Sequence, residues 1–503
     1  MNQENIRLVE GDAVLQLLED PVFFERLSNL YEESTETTIF QSPGFIRSWY
    51  LIKISEFVPL IAIDQSNSSL EAAVFLAIKR ESSGQIKKSH AKIVGLGEYD
   101  AEYQTWLVRE GKEESFLSKA FDLILQNHPK CKLVFRFIPS AKSLTWLDEN
   151  PKWNKLSVVQ PYRRPLMQMS HPDFRSVFKK RHLKAKYNRF VKAGKMEFEE
   201  ITEINRFIEV YDEVMILYDF RQGALFNKTP STSNPLRRPL FISLFEQNIL
   251  QVSVLKLDDV ITSCIIGMKS KIWVHLSGLV TYSPFYSKHS PGLVHLFVLG
   301  KYLEKQGFEY FDLTPGDDGY KERMASNADE VYELTICKDP VFKSKRKLRK
   351  KLHAFLLSKG IRPMTFNVKV QLSKHLIKLK LNHLKNRIFL SMGHQSGSTS
   401  ESIQLEKNNI QHLLAYDDHL GTSRWDFLSD AFKRVEAGEI CLSWAEERRL
   451  LVSIWFQEIN DKTNKNEDEP AFIHKGTYIH PKALSRKEEI MEIASSILPS
   501  LGP

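Results

Sequence analysis

Residues 290–325 read SPGLVHLFVLGKYLEKQGFEYFDLTPGDDGYKERMA. Ser-Pro-Gly followed by an apolar run predicts a loop passing into a helix. Ser290 is expected as the N-cap, accepting a hydrogen bond from the helix backbone, with Pro291 presetting the first turn and Gly292 leaving the main chain open to close approach. Such a start directs unpaired N–H groups and the positive dipole end outward, which suits an anion, although a Ser-Pro start also serves as an ordinary cap. After Gly307, FEYFDLT predicts a strand ending near Asp312. The turn PGDDG then delivers Tyr320 and Lys321.

Upstream of this stretch, FRSVFKKRHLKAKYNRFVKAG opens what reads as a new domain, with long helices predicted at 174–193 and about 203–221. Strands ILQVSVLKLD, VITSCIIGMKS and KIWVHLSGLVT follow, the first two joined by a hairpin-type turn at Asp258-Asp259. Toward the N-terminus the chain gives a helix-like stretch from residue 39, strands VPLIAID, AAVFLAIKR and AKIVGLG, a helix at 113–127 and strand KLVFRFI. Strands and helices in this order predict an α/β or α+β layer and exclude a helical bundle.

The order helix, helix, antiparallel strands, loop, helix, strand resembles the GNAT acyltransferases. Within them, the basic helix KKRHLKAKYNRFVKAG, the strand pair around TSCIIGMKSKIWVHLSGL and the 290–325 run, with SPG, G-x-x-x-F-D-L and G-D-x-x-Y-K, resemble the bacterial cellulose-biosynthesis acetyltransferase (CelD-like) family. FQSPGFIRSWY and GLGEYDAEYQTWLV are similar to that family's opening segments, so the resemblance covers about residues 35–335. It implies tandem GNAT-like folds: a degenerate N-terminal half (1–165), an acetyltransferase domain (166–340), a basic helical linker (341–402) and a C-terminal α/β module (403–503), itself similar to a truncated GNAT fold. In the N-terminal half Glu98, Asp100 and Glu102 would repel a pyrophosphate.

The activity implied is transfer of an acyl group from acetyl-CoA or another acyl-CoA to an amine or hydroxyl of a small molecule or saccharide, in envelope or exopolysaccharide metabolism. A Fem-type aminoacyl-tRNA-dependent peptidyltransferase and a non-catalytic scaffold are the alternatives. In GNAT proteins the loop before the long helix holds the pyrophosphate through its backbone, in a pattern of Gln or Arg, two residues, Gly, one residue, then Gly or Ala. Aligned on Gly292, Ser287 takes the first position and Ser290 the first Gly, so Ser287, Lys288, His289, Ser290, Pro291 and Gly292 form the expected cradle. The pantetheine arm would lie between IWVHLSGLVT and FEYFDLT.

On the same resemblance Tyr320 would protonate the departing thiolate, since a phenol keeps its proton until about pH 10. Lys321 would hold phosphate or substrate charge. Asp312, Asp317 and Asp318 would accept the acceptor's proton or bind a cationic acceptor, and His275 is a further candidate base. Tyr218, Arg221 and Gln222 would shape the acceptor pocket. Each has a structural reading beside it: sheet-edge packing for Tyr320, turn composition for Asp317-Asp318-Gly319, a strand-end bond for Asp312, a satisfied core imidazole for His275. Lys179, Lys180 and Arg181 read as a solvated helix face.

Bulk properties agree with a soluble globular chain: 42% hydrophobic and 26% charged residues over 503 residues, enough for two to four domains. No window approaches the roughly 20 apolar residues of a membrane span, so a cytoplasmic location is expected. Four cysteines stand far apart, without metal-binding spacing, and no metal is expected. The net charge of +8 is concentrated. Residues 340–400 carry 15 Lys or Arg and no Asp or Glu, leaving the remainder acidic. That segment reads as a helical linker packed through an apolar stripe (Leu372, Leu376, Leu379, Leu384), or, through residues 343–390, as a contact with an acidic partner or the inner face of a membrane. No specific nucleic-acid motif accompanies it. GHQSGSTSES (393–402) reads as a hinge.

Overall fold

The computed structural model describes residues 6–34, 37–65, 69–81, 91–316, 318–363, 366, 370–371, 373–374, 402–418, 422–459 and 471–501. Thirteen strands form one sheet: β1 (Ile6–Glu10), β2 (Phe57–Gln65), β3 (Leu70–Lys79), β4 (Lys92–Gly95), β5 (Trp106–Val108), β6 (Lys132–Pro139), β7 (Ser157–Gln168), β8 (Met196–Glu200), β9 (Leu250–Leu257), β10 (Val260–Lys269), β11 (Trp273–Tyr282), β12 (Tyr310–Asp312) and β13 (Asn327–Cys337). Their order is β1-β2-β3-β4-β6-β13-β7-β12-β11-β10-β9-β8, with β5 beside β3. Among the described residues only β4–β6 and β11–β12 pair in parallel. Each parallel pair is bridged by a helix, Glu113–Asn127 in the first and Pro291–Lys305 in the second, as a parallel connection requires.

Read inward from its two ends, the sheet repeats itself: β1-β2-β3-β4-β6 from one edge matches β8-β9-β10-β11-β12 from the other. The strands that close each half are exchanged. β7 follows β6 in the chain yet pairs with β12, while β13 follows β12 and pairs with β6, and the two cross the middle beside each other. The sheet therefore runs without a break through residues 165/166, which lie inside β7.

The unbroken apolar runs of β2 and β3 are explained by burial on both faces. Ile61, Ile63, Ala73 and Phe75 enter one core cluster, and their neighbours Leu60, Ala62, Val74 and Leu76 enter another. The first cluster also contains Val252, Val254, Cys264 and Ile266 of β9 and β10, so the halves share a core as well as a sheet. All four cysteines are buried and unpaired.

Several sequence expectations are corrected. The helix predicted at 174–193 is broken into Phe174–Val177 and Arg181–Val191, and at the break the Lys180 ammonium donates to the Arg323 carbonyl at 2.7 Å. The loop before Pro291 contains a 3₁₀ helix, Pro284–His289. The strand FEYFDLT is reduced to Tyr310–Asp312: Leu313 keeps one more bond to β7, donating its N–H to the Pro165 carbonyl at 3.1 Å, and the chain turns off the sheet at Thr314, whose φ is 64°. The hairpin at Asp258-Asp259 is present, both residues with positive φ (50° and 66°), as a two-residue type I′ turn demands.

In the linker, residues 340–358 are a helix. Leu376, Leu379 and Leu384 lie outside the described residues, as do Leu372 and residues 393–401 of the expected hinge. The C-terminal module has an antiparallel sheet of β14 (Glu406–Lys407), β15 (Ile440–Glu446), β16 (Arg449–Ile459) and β17 (Ala471–Ile479) with helices Arg424–Glu436 and Lys487–Ile497. It docks through helix Arg424–Glu436 on helix Ile204–Phe226. Phe432 meets Phe220 with ring centroids 5.5 Å apart, Trp425 Nε1 donates to the Ala224 carbonyl at 3.1 Å, and Gly223 makes room for Leu428, whose Cδ1 would stand 2.8 Å from a Cβ there.

Candidate functional site

β11 outlasts its parallel partner. It pairs with β12 only over Trp273–His275, so its segment 276–282 has no strand on that edge. Two arginines serve the exposed edge instead: Arg237 Nη2 donates to the Gly278 carbonyl and Arg221 Nη1 to the Val280 carbonyl, both at 3.1 Å. Two cavities open here.

The larger, of about 320 Å³, lies at the start of helix Pro291–Lys305. Its size is at the low end of the roughly 300–1,000 Å³ usual for ligand cavities. Of the residues anticipated from sequence it is lined by Ser287, Ser290, Pro291, Gly292, Arg221 and Tyr320. Lys186, Arg323, Tyr282 and Glu436 join them, none singled out by sequence reasoning. Lys186 was hidden in a helix whose charges read as solvated. Glu436 comes from the C-terminal part of the chain, 144 positions after Gly292 (436 − 292).

The loop is built differently from the expectation. Ser290 does not cap the helix with its side chain; its backbone is left-handed (φ 55°), and its hydroxyl accepts from Lys186 Nζ at 2.8 Å. A left-handed position is one a glycine occupies without steric cost, which accounts for glycine in the family pattern where this chain has Ser290. Nor are several amides exposed. Leu293 and Val294 both donate to the Ser290 carbonyl at 3.1 Å, and Pro291 has no N–H, leaving that of Gly292 without a partner among the described residues. Ser287 Oγ donates to the Glu436 carbonyl at 3.3 Å, and the Tyr282 hydroxyl to Glu436 Oε1 at 3.2 Å.

Three cations, Lys186, Arg221 and Arg323, therefore face one carboxylate, Glu436, around the cavity. Burial, then the charges of Arg323 and Arg189, lower the Lys186 ammonium's pKa. Burial, and then Asp318's charge, push the Tyr320 phenol up to about 12 against the opposing Arg221, so it is protonated at neutral pH. A phenol in that state can donate a proton but not take one.

The other anticipated residues sit elsewhere. Lys321 is buried and turned into its own loop, donating to Thr314 Oγ1 (3.0 Å) and to the carbonyls of Thr314 (3.2 Å) and Pro315 (3.4 Å), with Asp318 at 3.7 Å. Lys288 is exposed; His289 is half-buried, its pKa lowered by burial and then by the Lys288 and Arg189 charges. Gln222 and Asp318 line neither cavity. Asp317 lies outside the described residues.

Asp312 and His275 meet in a fully buried cluster that joins the halves. His275 Nδ1 donates to Asp312 Oδ2 at 2.7 Å, and so does the Tyr103 hydroxyl. The Thr314 N–H donates to Oδ1 at 2.7 Å, and Arg164 stands 4.0 Å away. Burial alone would raise the Asp312 pKa; the His275 hydrogen bond and the Arg164 charge outweigh it and hold the carboxyl below its usual value. Neither residue lines the Tyr320 cavity.

Tyr218 lines the smaller cavity, of about 140 Å³, with Asp100, Arg237 and Ser277. Arg237 lies over the rings of Tyr218 (5.4 Å) and Phe241 (5.0 Å), and its Nε and the Ser277 hydroxyl are buried without hydrogen-bond partners among the described residues. Burial raises the Asp100 pKa despite Lys53 beside it. Among the described residues no cluster of His, Cys, Asp and Glu could hold a metal ion.

Residues 178–322 match the family model described as an acetyltransferase (GNAT) domain. No curated protein sequence matches the chain. Solved structures with a similar arrangement include FemX (10% identity over 64% of this chain and 98% of that one, TM-score 0.47). Others are L-PGS from Bacillus licheniformis (14%, 66% and 96%, 0.38) and a tandem GNAT protein from the clavulanic acid biosynthesis pathway (10%, 67% and 99%, 0.37). The matched residues run from helix Arg181–Val191 through β12 to Tyr320, the half that contains the larger cavity, and the repeated strand succession makes the arrangement tandem.

Proposed function

We propose, for a chain whose residues 178–322 match a GNAT acetyltransferase domain, that it transfers an acyl group from an acyl-CoA, acetyl-CoA in the first instance, to an amine or hydroxyl of a small molecule or saccharide. The observation that carries this reading is the larger cavity, which gathers Ser287, the Ser290–Gly292 helix start, three cations and a protonated Tyr320 phenol in one space. Phosphates fit the Gly292 N–H, Lys186 and Arg323. Glu436 stands against them and would weaken binding.

In the reaction the acceptor's nitrogen or oxygen attacks the thioester carbonyl carbon. The new bond to that carbon forms as the C–S bond breaks, Tyr320 gives its proton to the departing sulfur, and the acceptor's proton leaves to solvent. The acceptor would enter beside Tyr218 in the smaller cavity. Gly278 and Val280, two residues apart on β11, mark the two cavities about 7 Å apart along the strand. Arg237 and Asp100 there offer an acceptor one charge of each sign.

Residues 174–195 favour a second reading, since they hold nine Lys or Arg and no acid, and Lys186 of that stretch reaches the cavity. A donor carried on tRNA, as in Fem-type transferases, would use that surface. Steady-state transfer and thermal shift separate the readings. Acetyl-CoA should raise Tm, and Tyr320→Phe should keep that shift while transfer falls about 100-fold or more. No shift with any CoA ester, and a dependence on charged tRNA, would replace the first reading by the second.

A further inference from the structure

Helix Pro340–Ser358, PVFKSKRKLRKKLHAFLLS, contains no acidic residue. One side is packed on the sheet: Leu356 is buried, Arg346 pairs with Glu333 at 2.6 Å, and His353 meets the ring of Tyr162 at 4.9 Å. At 100° per residue, Val341, Leu348, Leu352 and Phe355 fall within a narrow arc on another side, and they are 62%, 67%, 46% and 56% exposed. They form an apolar stripe about 21 Å long. Exposed Lys345 flanks it on one side and exposed Lys347 and Lys351 on the other, with no ion pair to any of the three among the described residues.

Single exposed apolar residues are ordinary, but four in line between lysines leave a contiguous surface uncovered. Three occupants compete for it. The following segment of this chain, 375–400, has leucines but also four Lys or Arg and no acid, so it would be repelled. A second copy of the same face would bring lysines against lysines. A surface that is apolar beneath and negatively charged above satisfies both features of the stripe at once.

We propose that helix Pro340–Ser358 lies along an anionic lipid surface, its four apolar side chains in the acyl boundary and its lysines among the headgroups. Among the described residues no helix is long and apolar enough to cross a membrane, so the contact is peripheral. It would also place the transferase cavity near the lipid. Beyond the helix, Arg362 lies so close over Gly319 that a Cβ there would collide with it, and Gly319 begins the short helix that presents Tyr320. The inference does not depend on the acyl-transfer reading.

The test is flotation of the full chain with vesicles of phosphatidylcholine alone or mixed equally with phosphatidylglycerol. The chain should float with the anionic vesicles, less so in high salt, and not with the neutral ones. Leu348→Glu with Phe355→Glu should reduce the bound fraction about tenfold or more at unchanged Tm. Phe355→Trp, which keeps the stripe apolar, should show a blue shift of tryptophan emission when anionic vesicles are added. No flotation, binding undiminished by the double substitution, or flotation without the blue shift would each overturn the assignment.

Discussion

Asp312 ends β12, and its position before a polar turn reads naturally as that of a proton acceptor. In the structure both carboxylate oxygens are engaged, Oδ2 by Tyr103 and His275 and Oδ1 by the Thr314 amide. Tyr103 and Arg164 arrive from the N-terminal part of the chain, nearly 150 or more positions before Asp312, so no local pattern around residue 312 could have disclosed them. Asp312→Asn should cost roughly 3–5 kcal/mol, read by denaturant unfolding, because it leaves Arg164 and the buried donors short of a charge. The folded pKa lies below the ordinary 3.8. Asp312 therefore contributes stability that is present above about pH 4 and lost as pH falls through the lowered value, and the Asn variant should lack that acid-side loss.

At the scale of elements, the cavity depends on where helix Pro291–Lys305 sits on the sheet. His295 pins it there. Its ring lies between Ser253 of β9 (3.0 Å) and Ser263 of β10 (3.1 Å). Ser263 gives its own proton to the Thr281 carbonyl, so Nδ1 of His295 must be the donor to Ser263, and Nε2 accepts from Ser253. Full burial lowers the His295 pKa to about 3. The folded state thus holds it neutral while the unfolded chain protonates it near 6.5, so stability is full above pH 6.5 and declines as pH drops toward 3. His295→Gln should flatten that decline between pH 6.5 and 4 in chemical denaturation. The helix itself was legible from Ser-Pro-Gly and its apolar period. Its left-handed entry at Ser290 was not, because that depends on how the 3₁₀ helix Pro284–His289 meets it.

For the whole molecule, the exchanged strands make each half structurally incomplete alone. Fragments 1–165 and 166–340 separately leave β6 without β13, and β13 without β6 and without residues 157–165 of β7, and they divide a core cluster. Neither fragment should show a cooperative thermal transition or dispersed amide signals, whereas the intact chain should unfold its large sheet as one unit; a cooperative transition from either fragment would contradict this. Alternation of apolar residues, turn composition and helix-start chemistry are local, and from them the sequence alone determined the mixed α/β class, strands β2–β4, β6 and β9–β12, and the helix that starts at Pro291. Strand exchange, the Tyr103–Asp312–His275 cluster, the gathering of Lys186 and Arg323 around Tyr320 and the intrusion of Glu436 were decided only by the tertiary structure. Each depends on residues far apart in the chain meeting across a shared sheet or a docked helix, and no short-range spacing records such a meeting.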